Sequence, residues 1–151
     1  MSSGEGKLAG KVAIITGASK GTGAVMGKQF AEAGAKVLLV ARNEEAVIES
    51  AAAAGNGAIG MRADVTNEAD VKAMVDLALA EWGQVDILLN NAVIPGKDLH
   101  VWEQTLENWN DVFAICITAP MLASREVLKR SMLERKTGSI VNFSSTAGWT
   151  G

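Results

Sequence analysis

Five short apolar runs, separated by segments of helical period, limit the folds open to this 151-residue chain more than any other feature. The runs occupy residues 11–16, 37–41, 58–63, 86–90 and 139–143. Apolar runs without polar alternation are typical of strands buried on both faces of a parallel sheet. The sequence therefore predicts five buried strands joined by helical connections.

Two of the connecting segments carry apolar residues along one helix face. The first stripe runs from Val71 to Trp82, and the second runs from Trp109 to Met121 and continues to Leu128. The second stripe favours core positions for Trp109 and for Cys116, which we expect to be a buried structural cysteine. Pro120 lies within the same stripe, and we expect it to kink the helix unless a neighbouring element tolerates the lost hydrogen bond.

Helix-end residues support the same division of the chain. Gly34 and Gly55 are suited to ending the first two helices, because glycine adopts the left-handed conformation without steric cost. Asn43 precedes two glutamates and is a predicted N-cap, as is either Thr66 or Asn67.

The resulting order is β-α-β-α-β-α-β-α-β. Short connections and the right-handed crossover rule leave few topologies for this order. We predict a Rossmann-type α/β fold, a doubly wound parallel sheet of strand order 3-2-1-4-5 between two helical layers. A single domain would span residues 1–151, with residues 1–9 as a flexible leader.

Composition and charge exclude several functions. The net charge of −3 provides no basic surface for nucleic acid or anionic lipid. One cysteine and one histidine cannot form a thiolate or imidazole metal cluster. No run has the length of a membrane span, and the first residues lack a signal-peptide core. We therefore expect a cytoplasmic, metal-free protein without nucleic-acid or membrane partners.

The first apolar run leads directly into the glycine-rich sequence TGASKGTG, in which Gly17, Gly21 and Gly23 precede a helix. Glycines at such a turn let the backbone pass close to a pyrophosphate, and the helix N-terminus offers N–H groups to it. The spacing G-x-x-x-G-x-G matches neither the G-x-G-x-x-G fingerprint nor the P-loop. A loop that serves only tight packing is the alternative.

TGASKGTG resembles the coenzyme loop of the short-chain dehydrogenase/reductase family, although Thr22 replaces the usual Ile or Leu. Further similarities follow in the family's order, namely ADVT with Asp64 and Val65, LLNNA with Asn90, and SIVNFSSTAG. Asn90 resembles the family asparagine that ties the central strands together. The residues assigned to the coenzyme on this basis are Gly17, Ser19, Lys20, Gly21, Thr22, Gly23, Arg42, Asn43, Asp64, Val65, Asn91 and Ala92.

The end of the second strand bears on the choice of coenzyme. Dinucleotide folds use an acidic residue there for the adenine ribose of NAD(H), or a nearby arginine for the 2′-phosphate of NADP(H). This chain has Ala41 followed by Arg42, and Lys20 lies in the glycine loop. NADP(H) is favoured over NAD(H), unless both cations are merely solvated surface charges.

Ser145 aligns with the family's catalytic serine, whose hydroxyl holds the carbonyl or alcohol oxygen of a small-molecule substrate. Serines that follow a strand also commonly act as caps. The resemblance implies a Tyr-x-x-x-Lys element for proton transfer, but this chain has no tyrosine. Cys116 stands where the family often has an asparagine. Val93 stands where it often has glycine, and a positive φ would strain it there.

The resemblance thus implies the coenzyme-binding portion of an NADP(H)-dependent oxidoreductase, which transfers hydride between nicotinamide and a carbonyl or secondary alcohol. We expect the chain as given to be catalytically incomplete, with the C-terminal strands of the family fold missing. The alternative is a non-catalytic NADP(H)-binding or assembly module of the same fold. An exposed fifth strand would favour a homo-oligomer or a complementing second chain. His100 is interpreted as a surface loop residue, and Trp149 as a pocket or core residue.

Overall fold

The computed structural model describes residues 6–146, so Trp149 lies outside the described residues. The strands are β1 (Val12–Thr16), β2 (Lys36–Ala41), β3 (Ile59–Arg62), β4 (Ile87–Asn90) and β5 (Ser139–Asn142). The helices are α1 (Gly21–Glu32), α2 (Glu44–Ala54), α3 (Glu68–Trp82), α4 (Leu106–Phe113), α5 (Ala119–Val127) and α6 (Leu133–Arg135), with a 3₁₀ turn at Val101–Glu103. Each of the five predicted strands is found within one residue of its expected ends.

The strands form one parallel sheet of order β3-β2-β1-β4-β5, which confirms the predicted topology. Adjacent residues of β1 enter different cores: Ile14 packs with residues of α3 and α5, whereas Ile15 packs with residues of α1 and α2. All residues of β1 are buried, and so are all residues of β2 except the first. The expected burial on both faces is wrong for β5, where Val141 is 42% exposed.

The predicted helix ends are largely confirmed. Asn43 Oδ1 accepts a hydrogen bond from the Ala46 N–H at 3.0 Å. Asn67 rather than Thr66 caps α3, accepting from the Ala69 and Asp70 N–H groups. Gly55 caps α2 with a φ of 73°. These caps fix where the chain leaves each strand and enters the next helix.

Pro120 does not break its helix, because the segment before it winds differently. A π-helical turn at Ala114–Thr118 separates α4 from α5, and a second at Leu128–Met132 separates α5 from α6. The residues that join these pieces keep right-handed helical φ and ψ values. Pro120 therefore falls in the first turn of α5, where its missing N–H is tolerated.

The expectation that Trp109 lies in the core is wrong. Its side chain is 53% exposed and stacks on Phe113, with ring centroids 4.8 Å apart. The helical spacing of the apolar residues identified an apolar face, but it could not show whether another element packs on that face. This face points away from the sheet, whereas Leu122, Ala123 and Val127 make the core contacts of the same long helix.

The end of the sheet opposite the glycine loop is held by buried polar groups. The Asp86 carboxylate accepts from the Val12 N–H at 2.9 Å and pairs with Arg135 at 2.6 Å. Ser131 Oγ accepts from the Val85 N–H at 2.8 Å.

In the segment expected to be a leader, the Leu8 N–H donates to the Ala33 carbonyl, so residues 6–9 pack on the domain. Among residues 6–146, no helix is long and apolar enough to span a membrane.

Candidate functional site

The turn between β1 and α1 brings the glycine loop close to the end of β4. Gly17 has a φ of +67°, and a Cβ there would lie 2.7 Å from the Ala92 Cα. A Cβ on Gly23 would lie 2.6 Å from Asn91 Nδ2 and from the Gly17 carbonyl oxygen. Side chains at these two positions would collide with fixed backbone, so packing of the loop against β4 requires glycine at both.

Thr16 and Asn91 lock this contact with hydrogen bonds. The Thr16 hydroxyl donates to the Leu89 carbonyl and accepts from the N–H groups of Asn91 and Ala92, both at 3.1 Å. Asn91 Nδ2 donates in return to the carbonyls of Thr16 and Gly17. This role of Thr16 was not predicted from the sequence, although a threonine that ends an apolar run beside a glycine loop is a usable signal.

A cavity of about 450 Å³ opens above this contact, at the carboxyl ends of the strands. Its lining combines the glycine loop with the residues that follow β2, β3 and β4: Gly17, Ser19, Lys20, Gly21, Thr22, Val40, Ala41, Arg42, Asn43, Ala63, Asp64, Val65, Asn91, Ala92, Val93, Ile94 and Ile115. Every residue predicted to contact the coenzyme lines this cavity except Gly23, which is buried at the start of α1. Ile94 and Ile115 were missed, since neither belongs to a recognisable motif.

Space and charge in this cavity suit an anion. A Cβ on Gly21 would meet no atom within 4 Å, so the space beside this residue is open. The side chain of Lys20, the N-cap of α1, makes no capping hydrogen bond, and the first turn of α1 contains no acidic residue. Uncapped N–H groups at a helix N-terminus are a general binding site for phosphate. Arg42 and Lys20 add exposed positive charge at the rim.

Asp64 supplies the negative charge of the cavity. Burial by itself raises the pKa of this carboxyl group, but hydrogen bonds from the Thr66 N–H and hydroxyl lower it, as do the charges of Arg42 and Arg62. The net shift of the pKa is downward. Asp64 Oδ1 accepts both Thr66 bonds, at 2.9 and 2.7 Å, so the carboxylate is ionised and fixed in orientation.

A second, more apolar cavity of about 810 Å³ adjoins the first, and Val93 and Ile94 line both. Ser145 lines the second cavity together with Ser144, Asn142 and Ser124. Cys116 also lines it, half-buried rather than buried as expected, and its Sγ donates to the Ile94 carbonyl at 3.7 Å. The helix face that carries Cys116 turns toward the cavity, which explains the difference.

Two further expectations concern the strand ends. Asn90 Nδ2 donates to Asn142 Oδ1 at 2.8 Å and to Ser124 Oγ at 3.3 Å, so it joins β4 to β5 and α5.

Among residues 6–146, the only non-glycine residues with positive φ are Asn56 and Lys136. Val93 therefore has no left-handed strain. His100 is an exposed loop residue as expected, and its ring stacks on Trp102.

The fold and cavity together define a Rossmann-type domain with a cleft where the strand order reverses, the position at which open α/β sheets usually bind ligands. The family model described as short chain dehydrogenase matches residues 11–151. The chain belongs to this family, whose members are oxidoreductases that use nicotinamide coenzymes.

Individual relatives agree with this assignment. A short chain dehydrogenase of Pseudocercospora fijiensis is 39% identical over 150 residues, covering 96% of this chain and 48% of that protein. The 3-oxoacyl-(acyl-carrier-protein) reductase of Vibrio cholerae is 36% identical over 144 residues, covering 95% and 58%. A crystal structure of NAD⁺-bound xylitol dehydrogenase superposes with a TM-score of 0.91 at 31% identity, covering 96% and 56%. The chain thus spans about half the length of the relatives it matches.

Proposed function

We propose that residues 1–151 form the coenzyme-binding portion of an NADP(H)-dependent short-chain dehydrogenase/reductase. The observation that carries this proposal is the 450 Å³ cavity, which joins the glycine loop to the ends of β2, β3 and β4. It combines an uncapped helix N-terminus, open space beside Gly21 and a rim with two cations. A dinucleotide site needs hydrogen-bond donors for the phosphates, backbone that can approach the phosphates closely, and an apolar wall.

Each part of the cavity has a proposed role. The N–H groups at the start of α1 and in the glycine loop hold the pyrophosphate, and Asp64 and Val65 contact the adenine. Asn91 and Ala92, fixed by Thr16, support the coenzyme where it passes the end of β4. The bound coenzyme would supply hydride exchange with a carbonyl or secondary alcohol.

The preference for NADP(H) rests on the residues after β2. Ala41 is buried and Arg42 is exposed at the cavity rim, so no carboxylate from this strand end faces the adenine ribose. Arg42 provides a planar fork of donors for a 2′-phosphate, and Lys20 adds a point charge. One relative of known structure, a xylitol dehydrogenase, was solved with NAD⁺, so the preference is a property to be tested in this chain.

Ser145 is the proposed catalytic residue, because it lines the second cavity beside the wall shared with the coenzyme cavity. Its hydroxyl would hold the oxygen of a small-molecule carbonyl or alcohol. The sequence contains no tyrosine to move the associated proton. We therefore expect the 151-residue chain to bind coenzyme without turnover.

Fluorescence titration with NADPH and NADH tests the proposal through Arg42. We expect Arg42→Ala to weaken NADPH binding by about tenfold, as loss of one charge-assisted contact implies, and to leave NADH binding unchanged. Lys28→Ala is the control, because Lys28 is an exposed cation of α1 that does not line the cavity. Equal loss of both coenzymes with Arg42→Ala would contradict the assignment of the 2′-phosphate contact.

We also propose a homo-oligomer, formed through the exposed apolar face of the long helix. Its members are Trp109, Phe113, Ile117 and Met121, each more than 40% exposed, and the last two also line the second cavity. A contiguous exposed apolar face of this kind commonly marks a protein–protein contact. Sedimentation of Ile117→Glu as a monomer, beside a dimeric unaltered chain, would support this. A monomeric unaltered chain would contradict it.

A further inference from the structure

The segment 93–99, called the strap below, forms the wall between the two cavities. Residues 91–100 contain no helix or strand, so no backbone ladder fixes the strap. Val93 and Ile94 nevertheless line both cavities, and Pro95 lines the second. If the coenzyme binds as proposed, its reactive end must lie beside Ser145's cavity and therefore against this wall. The position of the strap consequently matters for binding at that end.

A buried amide on α4 holds the strap from behind. Asn108 is 8% exposed, and its Oδ1 accepts from the Lys97 N–H at 2.8 Å. Asn108 Nδ2 donates to Gln104 Oε1 at 2.6 Å, and Gln104 Nε2 donates to the Leu99 carbonyl at 3.3 Å. Two side-chain amides thus satisfy strap groups that lack partners in a sheet or helix. A buried amide network of this kind specifies one conformation.

Packing leaves the strap little alternative room. Gly96 has a φ of +74°, and a Cβ there would lie 2.8 Å from Val112 Cγ2 and 3.4 Å from Asn108 Oδ1. The strap backbone therefore rests directly on α4, one turn beyond Asn108. Further along the helix, Cys116 contributes only a weak bond to the Ile94 carbonyl. Asn108 makes the shortest hydrogen bond between the helix and the strap backbone.

We propose that Asn108 is a positioning residue: its side chain fixes the strap, and through it the nicotinamide end of the bound coenzyme. This inference rests on the proposed coenzyme function. The adenine end contacts the ends of β2 and β3, which Asn108 does not touch. Loss of the amide should therefore weaken binding of the whole dinucleotide but not of its adenine half.

The experiment compares NADPH with adenosine 2′,5′-bisphosphate, which lacks the nicotinamide half, on the full 151-residue chain. We expect Asn108→Leu, which matches the amide in shape, to raise the NADPH Kd by about fivefold or more. The Kd of the bisphosphate should stay unchanged. Asn110→Leu, an exposed asparagine on the same helix, is the matched control and should alter neither constant. Trypsin cleavage after Lys97 should accelerate only in Asn108→Leu.

The outcomes separate the inference from the proposed function. If the unaltered chain binds neither ligand, the proposed function fails and the inference falls with it. If both Kd values rise together, or neither changes, Asn108 has only a structural role and the inference is overturned. Gln104→Ala provides the same comparison if Asn108→Leu does not fold, because Gln104 is half-buried and contacts the strap directly. A selective rise in the NADPH Kd in either variant supports the inference.

Discussion

Two glycines of one loop should respond differently to the same substitution. Gly17 and Gly21 both have positive φ, +67° and +57°, so alanine at either position adopts a left-handed conformation that costs ~1–2 kcal/mol. Their surroundings differ. A Cβ at position 17 meets the Ala92 backbone at 2.7 Å, whereas a Cβ at position 21 meets nothing within 4 Å.

The magnitudes follow from that difference. Gly17→Ala adds an overpacking cost of ~1–3 kcal/mol to the backbone strain. Either alanine regains ~0.4–1 kcal/mol by restricting the unfolded chain. The free energy of unfolding should therefore fall by roughly 1–5 kcal/mol for Gly17→Ala and by about 0–1.6 kcal/mol for Gly21→Ala, with the first loss exceeding the second by the overpacking cost. Gly21→Ala should bind the coenzyme more weakly, because its methyl group enters the space proposed for the pyrophosphate.

Urea unfolding and NADPH titration measure the two effects separately. We expect Gly21→Ala to fold with nearly normal stability and to bind NADPH at least about tenfold more weakly, since even one lost contact of ~1.4 kcal/mol gives that factor. Equal stability losses in the two variants would refute the packing argument. Unchanged NADPH affinity in a folded Gly21→Ala would refute the placement of the coenzyme.

Three further outcomes follow from buried polar groups and the exposed face of the long helix. Ser131→Ala removes the partner of the buried Val85 N–H and should lower the unfolding free energy by about 1–3 kcal/mol in urea, whereas Ser139→Ala on the exposed β5 should change it by under about 0.5 kcal/mol. Burial by itself raises the pKa of Asp86. The hydrogen bonds from Arg135 and the Val12 N–H, together with the charges of Arg135 and Lys11, lower the pKa by more, so the net shift is downward. A carboxyl whose folded pKa is depressed stabilises the fold above its unfolded pKa of about 3.9 and loses that contribution as pH falls through the folded value. Stability measured below about pH 4 should therefore fall less steeply in Asp86→Asn than in the unaltered chain, and parallel pH profiles would contradict this. Tryptophan fluorescence should shift to the blue on self-association, because the contact would bury Trp109, and the absence of this shift at high concentration would argue against the proposed dimer face.

The sheet could be predicted because its central strands are buried on both faces. Such strands tolerate no polar alternation, so the runs in the sequence mark their positions directly. Asn43 was equally predictable, because an asparagine before two glutamates is a strong local signal for a helix start. The residues that line the cavity were assigned from the resemblance to the short-chain dehydrogenase/reductase family, and the fold accounts for their meeting, because residues that follow parallel strands lie at one edge of the sheet.

The long helix shows where sequence reasoning failed. Period alone placed Trp109 and Cys116 on an apolar face, but it cannot distinguish a face that packs on the sheet from one that does not. The π-helical turns also rotate the later residues relative to a regular helix, which changes the direction of every side chain beyond Ala114. Asn108 and Gln104 were missed for another reason. Their partners are backbone groups of an irregular segment, and no spacing rule predicts such contacts.

The claim that this cleft binds a nicotinamide coenzyme with a 2′-phosphate is tested most directly by isothermal titration of the unaltered 151-residue chain with NADPH and with NADH. We expect one site per chain and an NADPH affinity at least about tenfold higher, equivalent to ~1.4 kcal/mol from the phosphate contacts of Arg42 and Lys20. Superimposable titration curves, or no heat with either coenzyme, would contradict it.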